Sequence, residues 1–276
     1  MNKVVFVALF ASLMLIPYIT NATYVSVVEP FNATINASNA TVYLGKVGPG
    51  QTFYVTISAA TTYNGVAYPI GWDKLAVSRL PQGWLAQNSS LYTSLISAKI
   101  TVSPSAANGT YPINMSAVNV GNYSKLGAIN FKAVVNVTPD VFKLSVHPTN
   151  ISTGPGQPAD IYVTINNTGV SDSPFQIAVH NLPAWNVTDT VIALHHTSQD
   201  FVYPVFINEP GSYHANLYVS SFASPLIYKQ TNVTIVTKAS VPNDYAALGQ
   251  GAPIFPITYE PAYSVMYLIN LLARHI

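Results

Sequence analysis

Thirteen asparagines in this 276-residue chain stand two positions ahead of a serine or threonine, the pattern in which an asparagine amide accepts an N-linked glycan. They are Asn21, Asn32, Asn36, Asn39, Asn88, Asn108, Asn114, Asn122, Asn136, Asn150, Asn166, Asn186 and Asn232. The chain holds 23 Asn and 47 Ser plus Thr, so composition alone would give about four such sites. Three crowd into FNATINASNAT, residues 31–41, which reads as an exposed, glycan-bearing segment. The plainer reading is that an Asn- and Thr-rich β protein collects these triplets in its turns. A threefold excess favours glycosylation of several of the twelve beyond Asn21.

Other chemistry finds little to work with. There is no cysteine, so disulfides, thiol nucleophiles and cysteine metal sites are excluded together. His195 and His196, with Asp200 nearby, come nearest to a metal constellation. Neighbouring residues on a strand point to opposite faces, so the pair could share an ion only from a loop; a solvated loop is the plainer reading. The ten carboxylates are scattered, and no local spacing proposes the facing pair, about 5–10 Å apart, that a glycosidase needs. NNTGVSDS, residues 166–173, offers oxygen ligands without the acidic ladder of a calcium loop and reads as a hairpin loop. Aromatic faces stack on sugar rings, and Trp72 is the candidate ligand contact, because it lies in a segment, NGVAYPIGWDK, that occurs once. Trp84 and Trp185 each follow Leu-Pro and read as packing residues. No catalytic residue, metal or cofactor is expected.

The elements that position these groups come from a repeat. GPGQTFYVTI, residues 48–57, returns as GPGQPADIYVTI, residues 154–165. After each GPGQ the residues alternate: Phe53, Val55 and Ile57 on one face, then Ile161, Val163 and Ile165, with Tyr54, Thr56, Tyr162 and Thr164 opposite. Period-two alternation marks a half-buried strand. LPQGW (80–84) answers LPAW (182–185), and NGTYPINMSAV (108–118) answers PGSYHANLYVS (210–220). Each copy holds about seven short strands in roughly 100 residues, which specifies an all-β chain of two tandem immunoglobulin-like antiparallel sandwiches. The Gly-x-Tyr of both copies sits where such folds place a corner tyrosine. The expected divisions are a signal peptide at 1–22, sandwiches at 23–139 and 140–238, and a Pro/Gly-rich connector with an apolar end at 239–276.

MNK followed by thirteen uncharged residues, 4–16, reads as a secretory signal helix, with cleavage expected before Thr23 and a retained anchor as the rival reading. Without Lys3 the remaining residues carry ten basic and ten acidic groups, which gives no electrostatic reason to expect a nucleic acid partner. Only 8% of residues are charged, so solubility must come from polar uncharged groups or from what is attached to them. An exported chain without cysteine favours a prokaryotic, and more narrowly an archaeal, surface protein.

LPQGW, followed by SAKITVSPSAANGTYPINMSA, resembles the NEW3 domain with its pattern LP-x-GW … VTVP … GTYPI. The second copy, with VTINNTG at 163–169, is similar to CARDB-like adhesion modules. The resemblance covers about residues 40–237 and implies the sandwich fold and a non-catalytic appendage of secreted glycosidases or prokaryotic surface proteins. The second copy departs from the pattern in lacking a glycine between Pro183 and Trp185.

The chain closes on AYSVMYLINLLARHI, an apolar stretch expected to be a short helix. Its apolar part, Ala262 to Ala273, is twelve residues and rises about 18 Å, short of a hydrocarbon core of about 30 Å. Tyr263, Met266, Tyr267, Leu268, Leu271 and Leu272 are therefore expected to dock on a membrane face, a cell-envelope protein or the chain's own sandwich. The expected function is that of a secreted, N-glycosylated, membrane-associated surface protein, structural or adhesive and not an enzyme. The alternatives are a carbohydrate-binding accessory module, with a glycan as partner, and a filament subunit in which residues 23–30 add as a strand to a neighbour.

Overall fold

The computed structural model describes residues 23–63, 66–121, 126–183 and 187–239. Every regular element among them is a β-strand. The expected N-terminal and C-terminal helices lie outside the described residues.

Alternating side chains build the first sandwich from β1 (Val25–Glu29), β2 (Ala33–Ile35), β3 (Ala40–Val47), β4 (Thr52–Ser58), β5 (Thr61–Tyr63), β6 (Val66–Tyr68), β7 (Lys74–Arg79), β8 (Leu85–Gln87), β9 (Leu95–Thr101), β10 (Gly109–Val118) and β11 (Ala128–Val137). One sheet runs β2-β1-β4-β9-β8 and the other β3-β11-β10-β7, with β5-β6 a separate hairpin. The second sandwich uses β12 (Phe142–His147), β13 (Asn150–Thr153), β14 (Pro158–Asn167), β15 (Ser173–His180), β16 (Thr188–Ala193), β17 (Ser198–Phe206), β18 (Gly211–Ser221) and β19 (Ser224–Thr237). Its sheets run β12-β14-β17 and β13-β19-β18-β15-β16. In both copies the closing strand also takes a parallel partner, β3 on β11 and β13 on β19. These are immunoglobulin-like strand orders.

Burial follows the alternation read from the sequence. Phe53, Val55, Ile57, Ile161, Val163 and Ile165 are all buried. Each such side chain contributes about 1.5–3 kcal/mol on leaving water. Thr56 departs from the pattern: it points outward yet is covered, its hydroxyl donating to Glu29 Oε2 at 2.7 Å and sharing a hydrogen bond with Ser97 Oγ. Both corner tyrosines close on backbone four residues upstream, Tyr111 Oη on the Ala107 carbonyl and Tyr213 Oη on the Glu209 carbonyl, each at 3.0 Å.

The copies differ in one strand. After Leu80-Pro81 the first turns through Gly83, at φ 77°, and β8 pairs with β9. The second lacks that glycine, and β16 pairs with β15 in the opposite sheet. The left-handed backbone of that first-copy turn is one that glycine adopts without cost at Gly83.

Candidate functional site

The junction between the sandwiches is the most elaborate site among the described residues, and the repeated GPGQ builds it. Gly48 N donates to Gln51 Oε1 at 2.7 Å, and Gln51 N donates back to the Gly48 carbonyl at 3.2 Å. This self-capped turn leaves the Gln51 amide nitrogen facing the second sandwich, where it donates to Ser173 Oγ at 2.6 Å. A Cβ on Gly48 would come under 3.0 Å from Ile227 Cδ1, and one on Gly50 under 3.0 Å from the Ala223 carbonyl. Glycine is needed at both positions because the next module comes that close.

NNTGVSDS supplies the other side of the joint. Asn167 is buried, and its Nδ2 donates to the Ser171 and Ala193 carbonyls at 2.8 and 2.9 Å while Oδ1 accepts from Gly169 N. The loop so fixed presents Val170 N to the Lys46 carbonyl at 2.9 Å and Ser171 Oγ to the Thr52 carbonyl at 2.6 Å. Val170 itself joins the core of the first sandwich. Asp140, in the connecting peptide, lies 2.8 Å from Lys229 Nζ and 3.8 Å from Lys46 Nζ. The Lys229 hydrogen bond, opposed by slight burial and aided by the charges of Lys229, Lys46 and Lys143, holds its carboxyl below the usual 3.8.

Beside the joint, the two sandwiches enclose a crevice of about 320 Å³ lined by Glu29, Tyr54 and Lys99 from the first and by Asp172 and His195 from the second. His195 Nδ1 lies 2.6 Å from Asp172 Oδ1. His196, at φ 56°, meets the His195 ring edge-on with centroids 5.8 Å apart, and Asp200 accepts from Thr164 Oγ1 at 2.7 Å. Among the described residues no three His, Asp or Glu side chains gather as metal ligands would. Sequence reasoning missed Gln51, Val170, Ser171 and Ser173 as joint residues. Their one visible signal was the retention of glutamine in GPGQ.

Ten of the glycosylation candidates are described. Asn32, Asn36, Asn39, Asn88, Asn108, Asn136, Asn150, Asn166 and Asn232 are exposed, and Asn114 is half-buried. Among the described residues the two buried asparagines, Asn119 and Asn167, stand outside the N-x-S/T pattern. Asn114 and Asn136 point outward from β10 and β11, and Asn39 leads into β3 of the same sheet. The strands of the opposite sheet, β2, β1, β4, β9 and β8, carry none, though Asn32, Asn36 and Asn88 flank its edges. Asn122 and Asn186 lie outside the described residues.

Two expectations are corrected. Trp72 is fully buried, packed in the first core with Nε1 donating to the Tyr24 carbonyl at 3.1 Å, so it has no face to offer a sugar. Residues 23–30 are not spare for a neighbour: β1 pairs with β2 and β4 of its own sheet, and Val25 and Val27 are buried. Trp84 is a packing residue as expected, its ring 5.5 Å from Tyr111. Tyr263, Met266, Tyr267, Leu268, Leu271 and Leu272 lie outside the described residues.

No family model matches the chain, and no curated protein is found similar to it. Among solved structures it is similar to the fibronectin(III)-like modules of CbhA from Clostridium thermocellum, at 14% identity over 78% of this chain and 94% of that one, TM-score 0.27. It is also similar to the D00-D0 domain of intimin, at 13% identity over 77% and 99%, TM-score 0.27. The third is domains 5-6 of the S-layer protein SbsC, at 12% identity over 74% and 95%, TM-score 0.25. Likenesses of this size carry no argument about the chain's role.

Proposed function

We propose that this protein is a non-catalytic, N-glycosylated component of a prokaryotic cell surface, a stiff two-sandwich stalk acting through protein contacts. The observation that carries the reading is the placement of asparagines: among the described residues nine of the ten in N-x-S/T triplets are exposed and Asn114 is half-buried, while the buried Asn119 and Asn167 lie outside such triplets. The hydrogen-bonded joint supports the stalk, since Gln51, Ser171 and Val170 tie the modules at separate points. The NEW3- and CARDB-like motifs point the same way. Outer faces rich in glycan acceptors would be shielded, and the face around Tyr54, Leu85, Leu95 and Lys99 is one suited to a protein partner.

The apolar C-terminal stretch, with Tyr263, Met266, Tyr267, Leu268, Leu271 and Leu272, holds this stalk to the membrane or to an envelope protein. Removing residues 262–276 tests the attachment. The shortened protein should leave the membrane fraction while melting as the full chain does. Retention in the membrane fraction would contradict the reading.

A further inference from the structure

The molecule contains one worked example of what sits on a GPGQ turn. In the first sandwich the chain leaves β11 with Thr138 N donating to the Val47 carbonyl at 3.0 Å, and the module that follows covers the turn. Ile227 packs over Gly48, the Ala223 carbonyl over Gly50, and the Ser173 hydroxyl meets the Gln51 amide.

The second sandwich reproduces that turn. Gly154 N donates to Gln157 Oε1 at 3.2 Å, Gln157 N to the Gly154 carbonyl at 3.1 Å, and Gly156 N to the Ile207 carbonyl at 2.9 Å. The chain leaves by the equivalent route, Lys238 N donating to the Thr153 carbonyl at 3.0 Å, one residue from Gly154. Gly154, Pro155 and Gly156 are buried, as Gly48 and Pro49 are beneath the second sandwich. Gly50 and Gly156 have positive φ, 74° and 73°, which demands glycine by itself. Gly48 and Gly154 do not. At Gly48 the demand comes from a close-packed neighbour, and the same glycine is kept at Gly154.

We propose that the GPGQ turn at residues 154–157 is a socket for the chain's own continuation, residues 240–261, which seats there as the second sandwich seats on the first. This stretch, SVPNDYAALGQGAPIFPITYEP, starts two residues past Lys238, so it reaches the turn without a linker. Its charges are only Asp244 and Glu260, and Leu248, Ile254, Phe255 and Ile257 supply the apolar side chain that Gly154 makes room for. Docking there fixes the direction in which residues 262–276 leave the stalk, just as the first turn fixes the second sandwich. The inference deepens the attachment reading above, but it is read within the purified chain rather than by membrane recovery, so either can fail alone.

The test is a photo-crosslinking residue, Asn208→p-benzoylphenylalanine, in the full-length protein; Asn208 is exposed and adjoins Ile207, whose carbonyl holds the turn. Crosslinks to residues 240–261 of the same monomer are expected. Crosslinks to a second polypeptide, or none within the chain, would overturn the proposal. In parallel, Gly154→Val crowds the socket without demanding a forbidden backbone. Chymotrypsin should then cut at Tyr245 and Tyr259 at least about tenfold faster than in the unaltered protein. An unchanged rate would equally overturn it.

Discussion

Replacing Gly48 by alanine puts a single methyl group into the joint. Its Cβ would lie under 3.0 Å from Ile227 Cδ1 and 3.1 Å from both Ile227 Cγ1 and Gln51 Oε1. Ile227 is fully buried in the second core, so Cδ1 cannot swing into solvent. Overpacking of this kind costs about 1–3 kcal/mol, offset by about 0.4–1 kcal/mol because alanine has fewer unfolded conformations than glycine. A net loss of about 1–2 kcal/mol lowers the melting temperature of a chain this size by about 2–8 °C. Ile227→Val removes the clashing Cδ1 at its own cost of about 0.5–1.5 kcal/mol. It leaves Cγ1 at 3.1 Å, which a shift of a few tenths of an ångström absorbs. The double variant should therefore be more stable than the two single losses add up to, with a coupling of about 1 kcal/mol by denaturant or thermal unfolding. Additive losses would refute the close packing of the two modules over GPGQ.

Three further outcomes follow from individual side chains. Trp72→Ala should cost about 3–5 kcal/mol of stability, the toll of emptying a fully buried indole site, with no selective effect on any glycan-binding signal. Tyr111→Phe and Tyr213→Phe should each cost about 0.5–1.5 kcal/mol, nearly equally, since both lose the same 3.0 Å bond; a cost at only one would break the equivalence of the corners. Asp140 has a folded-state pKa below its ordinary 3.8, so its contribution to the joint is complete above that value and lost only as pH falls through the lower folded value. At 62% side-chain exposure that contribution is a few tenths of a kcal/mol. Asp140→Asn should therefore leave stability at pH 7 almost unchanged and slightly flatten its fall below about pH 4, checked by melts across pH 2–7.

The duplicated core was legible in the sequence because strand alternation and corner tyrosines are local signals: Phe53, Val55 and Ile57 announce their face within five residues. The joint was not, because its partners are far apart in the chain. Gln51 and Ser173 are separated by 122 positions, and nothing near either names the other. Trp72 misled because an insertion without a repeat counterpart looked like a functional addition, whereas its ring belongs to the first core and its Nε1 donates to the Tyr24 carbonyl just ahead of β1. Residues 23–30 misled because an exposed-looking leading strand and a paired one carry the same alternation. The switch of β16 to the opposite sheet had one trace, the glycine missing before Trp185, whose meaning becomes plain only beside Gly83 at φ 77°.

Glycopeptide mass mapping of the protein recovered from its native cells bears most directly on the surface role. Glycans should be found on several of Asn32, Asn36, Asn39, Asn88, Asn108, Asn114, Asn136, Asn150, Asn166 and Asn232, and never on Asn119 or Asn167. Unmodified asparagine at all ten positions would contradict it.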